Sequence, residues 1–286
     1  MSDLGSIVSN GITNGSIYAL VALGFVLIYR NSGVFNFAHP QIGMMGGFVF
    51  FVLWVEQSLP YPLAALGGVA VSALIALSVR QLLAPQEHNP LNMLIGTLGV
   101  SGILAWVAFD VWGSTPAFVP PIGGGVRIEF WGMTFRGPAL IVIGVLIVVS
   151  AGLALFTRYS SSGLAMRAVS SDPGASTLMG INVGLVSTLT WVAAGALSGA
   201  AAVLVAPFVN MEPLFMSLLF IRALSAALLG GMNSLTGTVV AGISIGLFEA
   251  AVIRNTTTVG LPALLLVLMI VMTLLIRPGS LGRTTA

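Results

Sequence analysis

Asn36-Phe37-Ala38-His39-Pro40-Gln41-Ile42-Gly43 is a polar, helix-breaking patch set between two apolar segments, residues 6–29 and 42–55. A helix that spans a bilayer satisfies its own backbone, so lipid tolerates it. A break inside the apolar layer frees backbone groups and polar side chains, and survives where protein or a water-filled path surrounds it. Asn36 or His39 ahead of Pro40 also reads as a helix start, because proline in the first turn gives up only an amide that has no partner there. The positive end of the half-helix that follows would then face a solute near the membrane centre. A short polar turn at the membrane surface is the alternative that the local sequence leaves open.

Composition decides the environment of that patch. Of 286 residues, 57% are hydrophobic and only 6% charged, with a mean hydropathy of +1.06. A soluble domain would carry about a quarter charged residues. Repeated apolar runs near ~20 residues point to an all-α polytopic membrane protein. No long polar stretch exists to build a separate soluble domain, so residues 1–286 read as one transmembrane domain. Met1-Ser2-Asp3-Leu4 lacks the basic flank of a cleavable signal, so the first span is expected to be retained.

Working outward, spans are predicted over 6–29, 41–55, 63–79, 91–109, 138–157, 183–207, 237–253 and 260–276. Residues 218–230, interrupted by Arg222, are short, so the count is eight or nine. Residues 80–90 read as a polar loop. In the loop 113–137, Val126-Arg127-Ile128-Glu129-Phe130 alternates apolar and polar, and a second short run follows Gly132; this predicts a small external hairpin. Gly11 with Gly15, Gly43 with Gly47, and Gly195 with Gly199 are spaced for close helix contact. A weak internal repeat pairs the break at Phe35–His39 with Leu229-Gly230-Gly231-Met232-Asn233-Ser234, and paired interruptions point to a midplane site between repeats. The basic residues are all Arg. Arg30, Arg80, Arg158, Arg167, Arg277 and Arg283 fall on one side, which the positive-inside rule makes cytoplasmic. The N-terminus is then outside and the C-terminus inside.

Several chemistries are excluded. A phosphate loop needs a Lys to reach the phosphates, and the chain has none, so any ATP that powers it is bound by another subunit. The absence of Cys removes disulfides, thiolate metal sites and Cys nucleophiles. His39 and His88 alone give neither an activated nucleophile with its base nor a metal cluster. Asp110 and Glu249 fall near helix ends and read as interfacial residues close to Arg partners, which weakens a proton-coupled carrier. The basic pI of 9.5 reflects membrane orientation, since no basic cluster suggests nucleic acid.

The loop 158–182 is the longest hydrophilic connection. Ser161-Ser162 can cap a short helix through Val169. Asp172-Pro173 starts a second, because Asp accepts free amides and Pro suits the first position; it would run to Met179 and stop at Gly180. Leu178 and Met179 would project, suiting a surface that docks in a partner's groove; a loop lying on lipid headgroups is the alternative.

These residues resemble a known family. Gly15-Ser16-Ile17-Tyr18-Ala19-Leu20, Asn36-Phe37-Ala38-His39, Met179-Gly180-Ile181-Asn182, the run from Ala227 to Gly237 and Arg277-Pro278 are similar to the Liv-type permeases. These are the membrane subunits of branched-chain amino acid ABC importers, and the likeness is nearest to their H subunit. It runs over nearly the whole chain, with Pro40 standing where the family usually has Gly. The resemblance implies a second homologous permease, two cytoplasmic ATPases that hold ATP and Mg, and an extracytoplasmic substrate-binding protein, in a bacterial cytoplasmic membrane. This chain would carry no cofactor of its own. It implies a translocation path near Asn36, His39, Gln41, Asn14, Ser234 and Thr236, with coupling to the ATPases through Arg167, Asp172, Pro173, Leu178, Met179 and Gly180. Arg222 either meets a substrate carboxylate or snorkels at the outer interface. A self-contained channel or secondary carrier for a small neutral solute such as urea or an amide, and a non-transporting scaffold, are the competing readings.

Overall fold

The computed structural model describes residues 2–255, apart from 88, 124 and 131–132, and residues 260, 261, 264, 265, 267, 268 and 271. His88, most of the span over 260–276 and the tail with Arg277, Pro278 and Arg283 lie outside the described residues. Within them, α1 (Ser2–Ser32), α2 (His39–Phe51), α3 (Tyr61–Leu83), α4 (Pro90–Trp112) and α5 (Gly137–Tyr159) are followed by two short helices, α6 (Ser161–Ser171) and α7 (Pro173–Leu178). Then come α8 (Val183–Val205), α9 (Phe215–Gly230) and α10 (Leu235–Asn255). Among the described residues, α1, α3, α4, α5, α8 and α10 are long and apolar enough to cross a membrane, and α9 is apolar but shorter. The chain is an all-α polytopic membrane protein with interrupted helices.

Burial sorts these helices into two shells. α1 is enclosed along most of its length by α10, α8, α9 and α5, and α2 lies between α3 and α8. The outer faces of α3, α4 and α5 expose Leu66, Leu74, Ile103, Trp106, Ile147 and Val148. In water such surface would drive association; against hydrocarbon it is the expected lining of a helix that satisfies its own backbone.

Glycine decides how closely the inner helices approach. A Cβ on Gly246 of α10 would strike the backbone of Gly11 and Gly15 on α1, so both glycines of that α1 pair face a partner. Gly195 and Gly199 of α8 meet Ser72 and Ala76 of α3. On α2, Gly43 meets the Ser198 backbone of α8 and Gly46 meets Gly68 and Ser72 of α3, whereas the nearest neighbours of Gly47 are side chains at 3.2 Å or more. Gly43 and Gly47 share the helix face toward α8, while Gly46 faces α3.

The turns follow local chemistry. Gly33, at φ 71°, ends α1. Pro40 sits in the first turn of α2, so the residue that departs from the family pattern fits a helix start. α3 does not stop at Arg80: it runs to Leu83 and a tight turn over Ala84–Gln86. Arg80 reaches Glu87 at 3.3 Å and the Gly184 carbonyl at 3.2 Å, which anchors that extra turn. Asn89 caps α4 by accepting from the Leu91 amide. The 113–137 connection carries an antiparallel hairpin, β1 (Arg127–Phe130) and β2 (Met133–Arg136), with Arg127 opposite Arg136 and Glu129 opposite Thr134. Within Val52–Glu56, a π-turn that widens the end of α2, Trp54 packs edge-on to Tyr61.

Candidate functional site

The break between α1 and α2 is buried. Asn36 turns the chain by accepting the Ala38 amide at 3.0 Å. His39 fits against Gly24, where a side chain would collide with the ring, and its Nε2 donates to the Val21 carbonyl at 3.2 Å. The Ser198 hydroxyl donates to the His39 carbonyl at 2.7 Å, and Gln41 donates to the Ser217 hydroxyl at 2.8 Å. Phe25, Phe35, Phe37 and Phe220 close around this seam. Even so, Asn36 Nδ2, His39 Nδ1 and Gln41 Oε1 are buried without a partner among the described residues. Each such group costs about 1–3 kcal/mol. Three together on one turn are hard to explain as packing, since buried polar atoms are nearly always paired.

The other sequence-predicted residues do not join them. Asn14 lines a separate cavity of about 940 Å³ beside the hairpin. Ser234 and Thr236 are exposed. Ser234 accepts the Gly237 amide and so caps α10, while Thr236 borders a groove of about 560 Å³ with Leu229, Gly230 and Val240. The two interruptions are thus alike in spacing but differ in surroundings: one is enclosed, the other open.

A charged cluster links three helices deeper in the fold. Glu249 of α10 is 3% exposed, yet it accepts the Tyr18 hydroxyl of α1 at 2.6 Å and pairs with Arg222 of α9 at 2.8 Å. Arg222 also donates to the Leu218 carbonyl and lies over the Tyr18 ring. Its side chain is 28% exposed. Glu249 has the Arg partner that its position near a helix end suggests, and the pair is enclosed by protein on the Glu249 side. An acid and a base on separate apolar helices were the signal for this pair; Tyr18, one of many aromatics, carried none.

At the opposite end, Ser160 caps α6 by accepting the Gly163 amide, one residue before the predicted Ser161. Asp172 caps α7 through the Ala175 amide at 2.9 Å, with Pro173 in its first turn. Gly180, at φ 80°, ends it, and Asn182 caps α8. Met166 and Val169 bury against Val186 and hold α6 to α8. Arg167 lies beside Arg30 and Asn31. Leu178 and Met179 are 89% and 81% exposed, so the end of α7 and the residue that caps it present two large apolar side chains that no part of this chain covers among the described residues. α5 separates this end from the hairpin by about 35 Å, a 23-residue helix at 1.5 Å per residue.

The chain is similar to known permease proteins over most of its length. The high-affinity branched-chain amino acid transport system permease protein LivH of Salmonella typhimurium is 28% identical over 96% of this chain and 94% of its own length. The permease protein BraD of Pseudomonas aeruginosa, of a system with the same description, is 30% identical over 84% of this chain and 83% of its own. Among solved structures, PsaBC from Streptococcus pneumoniae in complex with Fab aligns over 99% of this chain and 91% of that one, at 17% identity and a TM-score of 0.44. The family described as the branched-chain amino acid transport system / permease component matches residues 7–278, and the chain belongs to it.

Proposed function

We propose that the chain is half of the translocation unit of an ATP-driven importer of branched-chain or related small amino acids in a bacterial cytoplasmic membrane. It works with a second permease, two ATPases on the α6–α7 side and a substrate-binding protein on the hairpin side. The observation that carries this reading is α7: a capped helix, ended by Gly180, that presents Leu178 and Met179 bare. Two uncovered apolar side chains at a helix tip suit a groove on a soluble partner, and α6 roots that tip in α8 through Met166 and Val169. A partner that closes on ATP then has a rigid lever on the inner helices. The unpaired Asn36, His39 and Gln41 supply polar groups that a second arrangement of α2 could expose to solute, and a shift between two states needs a contact that differs between them.

The test is purification from the native membrane with identification of the associated chains. Two ATPases, a second permease and a binding protein are the expected set. Replacing Asp172-Pro173 by Gly-Gly should release the ATPases and abolish ATP-dependent uptake while the remaining chain stays folded. A chain that purifies alone and moves solute in liposomes without ATP would overturn the reading in favour of a channel or carrier.

A further inference from the structure

Beside the hairpin, a cavity of about 940 Å³ opens between β1, β2, the N-terminal half of α1 and the end of α10. Its lining includes three arginines from three elements: Arg127 of β1, Arg136 of β2 and Arg254 of α10. No carboxylate lines it among the described residues; Glu129 shares the hairpin face, opposite Thr134, but stands outside the lining. Like charges directly opposite on a hairpin weaken it, yet Arg127 pairs in register with Arg136. Neither takes part in Arg80–Glu87 or Arg222–Glu249, the ion pairs among the described residues. Hairpin stability therefore gives no reason for the pair, whereas an anion does, since guanidinium matches a carboxylate with two parallel hydrogen bonds.

The remaining lining is sorted by chemistry. Ser6, Asn10 and Asn14 follow at four-residue spacing on one face of α1. Ser9 and Thr13, also in the lining, donate their hydroxyl hydrogens to the Ser6 and Ser9 carbonyls, so their oxygens keep lone pairs free to accept. Lone pairs and amide carbonyls suit an ammonium group. Ile7, Phe208, Ala250 and Ile253 supply an apolar side. We propose that this cavity is a receiving site for a small aliphatic amino acid, with Arg127, Arg136 and Arg254 drawing its carboxylate and the polar stripe of α1 facing its ammonium. The amino-acid identity rests on the importer reading above; the carboxylate preference rests on the lining.

The chain lacks cysteine, so Asn10→Cys places a sole reporter thiol of this subunit in the cavity, with Asn14→Cys as the second choice if the first fails to assemble. The assembled importer in proteoliposomes is labelled with the anionic sulfonatoethyl or the cationic trimethylammonioethyl methanethiosulfonate. Each rate is normalised to that of a free thiol and read by mass on this subunit. A cleft of one charge sign concentrates counter-ions about tenfold or more, so the anionic reagent should be favoured by about that factor. Arg127→Gln with Arg136→Gln should bring the preference close to parity. Leucine and isocaproate should slow labelling, and leucinol, which lacks the carboxylate, should not. No anionic preference, a preference that survives loss of the arginines, equal protection by leucinol, or protection seen only with the external binding protein bound would each overturn the site. ATP-driven leucine uptake by the same vesicles separates the two readings. Uptake without carboxylate protection sinks the cavity alone, and protection without uptake sinks the importer alone.

Discussion

Tyr18, Glu249 and Arg222 set an ion pair inside a fold where, among the described residues, Glu249 is the charged side chain that is buried. The pair is tolerated because each charge has its counter-charge and Glu249 has a further donor in Tyr18. Removing one partner of a buried pair costs about 3–5 kcal/mol, and replacing both by apolar residues is often neutral. Arg222→Met, which strands the enclosed Glu249, should therefore lower the thermal unfolding midpoint in detergent sharply. Glu249→Gln should lower it less, because water reaches Arg222. The double change Arg222→Met with Glu249→Met should recover most of the loss. Additive losses would mean that the two side chains act separately.

At the scale of elements, the contact between α1 and α10 is made backbone to backbone. Gly246 lies on Gly11 and Gly15 with no room for one methyl group. Overpacking of a tight interface costs about 1–3 kcal/mol. Gly246→Ala should thus reduce the yield of folded protein and its unfolding midpoint. Gly144→Ala on α5, where a Cβ would meet nothing within 4 Å among the described residues, should leave both unchanged or slightly raised, since alanine favours a helix over glycine. Equal effects of the two changes would show that helix propensity, and not contact, controls these positions.

At the scale of the molecule, α5 places the hairpin and α7 at opposite ends. With the hairpin outside, Ile128→Cys should react with an impermeant maleimide in whole cells, and Leu178→Cys only in inverted vesicles. Both positions are exposed, so burial will not mask either result. The reverse pattern would invert the topology and move the ATPase face to the hairpin.

The membrane class was legible in the residues themselves, because a bilayer imposes length and apolarity on each span separately. Caps were legible too: Pro40, Asp172-Pro173 and Gly180 act within one helical turn, and each ends or starts a helix where local chemistry requires. The limits of helices whose ends depend on a partner were not. Arg80 keeps α3 helical past the predicted loop through Glu87 and Gly184, and Gly184 lies far along the chain. Only the tertiary structure brought Tyr18 to Glu249, 231 residues away, separated Asn14 from the Asn36–Gln41 seam, and set Arg127, Arg136 and Arg254 around one cavity. Patterns that repeat within a turn or a span are written in neighbouring residues. Which faces meet depends on glycine contacts and paired charges between helices, and those exist only once the helices have packed.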